Sequence, residues 1–88
     1  MLLREDDFWK PVLTTRQILN GEDFIAVVVY DEEGDWQALG AADFTDDDID
    51  VVSVEEILAL DDSLTTLPDM QLGEVVERES VEGAWTTA

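Results

Sequence analysis

Almost every side chain in this sequence that could do chemistry is a carboxylate. Two groups stand out by their spacing: Asp31, Glu32 and Glu33 ahead of Gly34, and Asp43, Asp46, Asp47, Asp48 and Asp50 a little further on. Carboxylates can serve as general acid and base, ligate hard cations, or build a field that draws in basic molecules. The first use needs a substrate cleft and one strongly raised pKa, for which a chain of 88 residues has little room. The chain has no histidine or cysteine and a single lysine, so a serine or cysteine nucleophile has no imidazole base to activate it. Of the serines Ser53, Ser63 and Ser80, the first is accounted for as a helix cap. The expectation is therefore a protein that is not an enzyme and uses no cofactor.

Metal binding is the next use to weigh. Asp31-Glu32-Glu33-Gly34-Asp35 has the look of a calcium loop, but an EF-hand places glycine sixth and a bidentate glutamate twelfth, and the sixth residue from Asp31 is Trp36. A turn glycine flanked by solvated acids explains the segment more simply. Zinc has no nitrogen or sulfur ligand here.

The third use matches the charge. Twenty-three acids against four bases give a formal charge of −19. Arg4, Lys10 and Arg16 lie in the first sixteen residues, and only Arg78 follows them. Such a field repels nucleic acid and anionic lipid and attracts basic partners. Its self-repulsion costs stability, which a functional benefit would offset; the competing reading is that the acids only solvate the surface.

These residues need a scaffold. A hydrophobic content of 45% supports a folded core, and a domain of this size buries roughly 60–65% of its unfolded surface. The expectation is a single α+β domain spanning 1–88, a small antiparallel sheet packed against one or two short helices. With no cysteine, packing must hold it together, as in a reducing, cytoplasmic setting. The longest apolar run, Phe24 to Tyr30, is far below the roughly 18 residues of a membrane span, and the acidic start MLLREDDFWK is unlike a signal peptide.

Local signals place the elements. Phe8-Trp9 and then Pro11 lead into a short strand, and Thr14-Thr15-Arg16-Gln17 has capping-box spacing for a short helix that Asn20-Gly21 stops. Phe24 to Tyr30, rich in β-branched residues, reads as a central strand buried on both faces. The turn Asp31 to Gly34 connects it to the alternating Asp35 to Leu39 as an antiparallel hairpin. Gly40 to Asp48 reads as a loop and Ile49 to Val52 as a short extended piece. Ser53-Val54-Glu55-Glu56 is a second capping box, opening a helix over Val54 to Leu60. Asp61-Asp62-Ser63 ends that helix or caps a further turn, and Glu74 to Glu79 reads as a last edge strand. Ile25, Val27, Val29, Trp36, Leu39, Ile57 and Leu58 are the expected core. Trp36 is assigned to packing rather than partner contact, Arg16 to an ion pair with the acidic body, and Trp9 and Trp85 remain open between the two roles.

Thr14-Thr15-Arg16-Gln17-Ile18-Leu19, Gly21, the DEEGDWQAL stretch of Asp31 to Leu39, Val52-Ser53 with Glu55 and Ile57, and Glu79-Ser80-Val81 with Trp85 together resemble a family of short, uncharacterised bacterial immunity-protein-like proteins. The T-T-R-Q-[IV]-L and G-D-W-Q-x-L motifs carry the likeness. This chain is more acidic between Asp43 and Asp50 and lacks a Pro-Gly-Trp before Glu79. The resemblance implies a compact α+β domain in a bacterium that neutralises a toxin encoded beside it, and it names no catalytic residue. The function expected is an acidic inhibitory protein that binds a basic protein partner, without membrane or direct nucleic-acid binding. DNA mimicry and an accessory role with a solvating acidic surface are the alternatives. The partner contacts are assigned to Asp31, Glu32, Glu33, Asp43, Asp46, Asp47, Asp48 and Asp50, because they exceed what caps and turns require.

Overall fold

The computed structural model describes residues 7–88; the sequence readings on Arg4 and its neighbours lie outside them. Six strands form one sheet: β1 (Pro11–Thr15), β2 (Ile25–Tyr30), β3 (Trp36–Gly40), β4 (Ile49–Ser53), β5 (Glu74–Glu77) and β6 (Thr86–Thr87), in the order β4-β1-β3-β2-β5-β6. Neighbours are antiparallel except β1 and β3, which run parallel. Helix α1 (Arg16–Leu19) follows β1, and α2 (Val54–Leu60) follows β4. The α+β class and the hairpin pairing Tyr30 with Trp36 agree with the sequence reading.

The second capping box is present: Ser53 Oγ accepts from the Glu56 N–H at 3.1 Å while the Glu56 carboxylate accepts from the Ser53 N–H. Two backbone donors that a helix start would leave open are thereby satisfied. The first does not form: α1 starts one residue later than its spacing suggested, and Thr15 caps it by accepting from the N–H of Ile18, whose aliphatic side chain returns no bond. Pairing of Thr14 with Asp50 and Thr15 with Ile49 carries β1 through Thr15, so Thr15 caps α1 and Thr14 stays in the strand, fully buried. Asn20 and Gly21, at φ +78°, end the helix as expected. The turn after α2 is real: Asp61 caps a 3-10 turn over Asp62–Thr66.

One face of the sheet carries the core. Val12, Val28, Trp36, Ala38 and Val76 meet Val54, Ile57, Leu64, Leu67 and Met70 from α2 and the connector behind it. Of the expected core residues, Ile25, Trp36 and Ile57 are buried there and Leu58 packs against it, whereas Val27, Val29 and Leu39 are not part of it. A bulge between Ile25 and Val27 explains the first two: side chains alternate with period two, so one extra residue sends the rest of the strand to opposite faces. Leu39 is three residues from Trp36, and an odd separation in a regular strand puts it on the other side. Thus β2 is buried on one face and half-buried on the other. Glu74 to Glu77 forms a strand but not an edge, since β6 pairs with its outer side.

Candidate interaction surface

The acidic residues chosen from sequence fall into two places. Asp31, Glu32 and Glu33 sit in the β2–β3 turn, Asp43 to Asp48 follow the other end of β3, and Asp50 lies within β4 opposite Thr14. A strand of five residues, at about 3.3 Å each, holds the groups roughly 17 Å apart along its length. The structure therefore does not bring them into one patch.

Several of these carboxylates already have structural work. Asp31 accepts from the N–H groups of Glu33 and Asp35, each at 2.9 Å, which closes the turn around Gly34 at φ +85°. Asp50 accepts from the Val51 N–H at 2.8 Å. In β4 the N–H groups of Ile49 and Ser53 are also taken, by the Asp46 carbonyl and by Glu56. The outward donors of this edge strand are thus covered by the chain's own groups, a device that discourages edge-to-edge pairing.

Asp48 is the clearest departure from a solvated loop. Asp46–Asp48 is a 3-10 turn, and Asp48 is 8% exposed, with its carboxylate accepting from the Thr45 N–H at 3.0 Å and pairing with the Arg16 guanidinium. The Thr45 hydrogen bond first, then the Gln17 side chain and Arg16, hold its carboxyl below the ordinary value of 3.8, while desolvation opposes the shift. This is the internal ion pair expected for Arg16, and it turns Asp48 away from any partner. Asp43, Asp46 and Asp47 remain exposed.

Because its folded pKa is lowered, the stabilisation from Asp48 is complete above the ordinary carboxylate range and drains as pH falls through the folded value. The unfolded chain takes up that proton first. Acid unfolding of Asp48→Asn is therefore expected to depend less steeply on pH, below about pH 4, than that of the parent. Matching acid-unfolding slopes for the two proteins, followed by circular dichroism, would remove Asp48 from this role.

Two anchors were not singled out in the sequence. Asp23 accepts from the Phe24, Ala41 and Ala42 N–H groups and pins the start of the acidic loop. It lies so close to Gly40 that a Cβ there would come 1.8 Å from its oxygen. Arg78, 6% exposed, donates to the Ile25 and Val81 carbonyls, to Ser63 Oγ and to Asp61, and lies 4.3 Å from the Trp85 ring centroid. The only signal in the sequence was a lone base in an acidic half.

The described bases are all engaged: Lys10 pairs with Asp7 at 2.8 Å, Arg16 with Asp48, and Arg78 with Asp61 at 2.8 Å. Among the described residues, no three acidic side chains gather as a metal site would require, and no helix is long and apolar enough to cross a membrane. Fold and surface together define a small acidic α+β domain with a one-sided core. Compared with protein-family models, curated proteins and solved structures, the chain shows no match.

Proposed function

We propose that this domain is an acidic binding protein, not an enzyme, that docks on and inhibits a basic protein, with an immunity-type role in a bacterium as the leading case. The observation that carries the reading is the pairing of the bases. Among the described residues Lys10, Arg16 and Arg78 each sit against a carboxylate, which leaves the field of a chain with formal charge −19 strongly negative. Such a field speeds encounter with a basic partner and rejects acidic ones. The lack of histidine and cysteine speaks for binding over catalysis.

Asp43, Asp46 and Asp47 are the steering residues of the loop. Once a partner has been captured and purified, the Asp43→Asn, Asp46→Asn, Asp47→Asn triple variant is expected to associate several-fold more slowly at low salt, with a shallower salt dependence. Dissociation and the unfolding midpoint should change little, since exposed charges contribute on the order of 0–1 kcal/mol each. Stopped-flow association at two ionic strengths reads this out. A partner that is itself acidic, or an association rate indifferent to salt, would sink the reading.

A further inference from the structure

The face of the sheet opposite the core is unusually apolar. The registers align one side-chain row across five strands, Val51, Leu13, Gln37, Val29 and Val75, with Val27 and Leu39 paired beside it. Val51 is 58% exposed, and the other aliphatic members are half-buried without belonging to the core. A sheet with one solvated face ordinarily alternates apolar inward and polar outward. Here, in a chain with 23 acids, the row carries none. A contiguous apolar strip with a polar rim marks an interaction surface.

The rim supplies the sign of the occupant. A groove lined by Pro11, Leu13, Gln37 and Val51 ends at Asp31 and Asp35, and Glu77 stands opposite Val27 at the far side. Trp9, 74% exposed, lines the adjoining hollow with Asp35. A second copy of the chain fits poorly, since it would bring another formal charge of −19 against the same face. We infer that this face docks a basic protein segment whose aliphatic side chains lie along the row while its Lys or Arg residues reach Asp31, Asp35 and Glu77. The inference rests on the basic-partner reading above and moves the site of tight contact from the acidic loop to the open sheet face. Charges at the rim guide approach, and the desolvated apolar centre sets the residence time.

The test uses two synthetic eight-residue peptides of equal charge, one alternating Lys and Arg with Leu and Val, the other alternating Lys and Arg with Ser and Gly. Binding to the intact chain is measured by calorimetry and by methyl shifts in nuclear magnetic resonance. The aliphatic peptide is expected to bind at least about tenfold more tightly and to shift the Leu13, Val29, Leu39 and Val51 methyls. Val51→Thr, at a position 58% exposed, should reduce that advantage at a nearly unchanged unfolding midpoint. Equal affinities, or shifts confined to other residues, overturn this inference and leave the basic-partner reading standing. Binding of neither peptide overturns both, and a concentration-dependent dimer closed through this face replaces the basic segment with a second copy.

Discussion

Replacing Arg78 with leucine is expected to cost about 3–5 kcal/mol, the usual effect of removing one partner from a buried ion pair. The Arg78 side chain is 1% exposed and that of Asp61 16%, so the substitution strands a carboxylate that water reaches poorly. It also removes the donors that hold the Ile25 and Val81 carbonyls and Ser63 Oγ. One guanidinium therefore ties β2, the turn after α2 and the C-terminal segment together, and the Trp85 ring stacked on it extends the tie to the tail before β6. Lysine should not rescue, because an ammonium cannot reproduce the planar fork of donors. Against a total stability of about 5–15 kcal/mol, such a loss is a large share of the whole. The double variant Arg78→Leu, Asp61→Asn should recover part of the loss, since the stranded charge is gone. Urea titrations of all three variants measure this, and a midpoint for Arg78→Leu near that of the parent would show that the cluster is dispensable.

Trp36→Ala is expected to remove about 3–5 kcal/mol through the transfer and cavity terms of a large buried aromatic. Trp36 is 5% exposed and packs in the core, stacked on Tyr30 with ring centroids 4.4 Å apart and planes 20° from parallel. The same substitution at Trp9, 74% exposed, should stay within about 0.5 kcal/mol of the parent. The pair of variants is its own control: identical chemistry, opposite burial. Comparable losses at the two sites, measured by denaturant unfolding, would contradict the assignment of Trp36 to the core and of Trp9 to the surface.

The parts of the fold legible in the sequence share one property, which is that the interacting groups are close along the chain. Ser53 and Glu56 are three residues apart, so the capping box could be read directly and the start of α2 followed from it. Asp31 and Gly34 close a turn on their own N–H and carbonyl groups, so the hairpin followed as well. Composition likewise determined the sign of the field, because a sum of charges does not depend on where the chain folds. Of the acids assigned to partner contact, Asp43, Asp46 and Asp47 are exposed, the position that carboxylates ordinarily take.

What the tertiary structure alone decided concerns groups distant in sequence. Arg16 and Asp48 are 32 residues apart and meet only because β1 and β4 pair; locally, only the Thr45-x-x-Asp48 spacing sets Asp48 apart from Asp46 and Asp47. Arg78 finds Ile25 across 53 residues. The bulge after Ile25 is set by how β2 pairs with β3, and it reassigned Val27 and Val29 from the core to the open face. Periodicity can say that alternate residues share a side; which side is buried depends on the layer that packs against it, and here α2 and its connector cover only one. Short stretches of the chain thus carry most of its elements and all of its charge, although neither β6 nor the turn at Asp46–Asp48 was among the elements read from them. The identity of its exposed surface had to wait for cross-strand register and long-range pairing, whose energies come from contacts that no short window of residues contains.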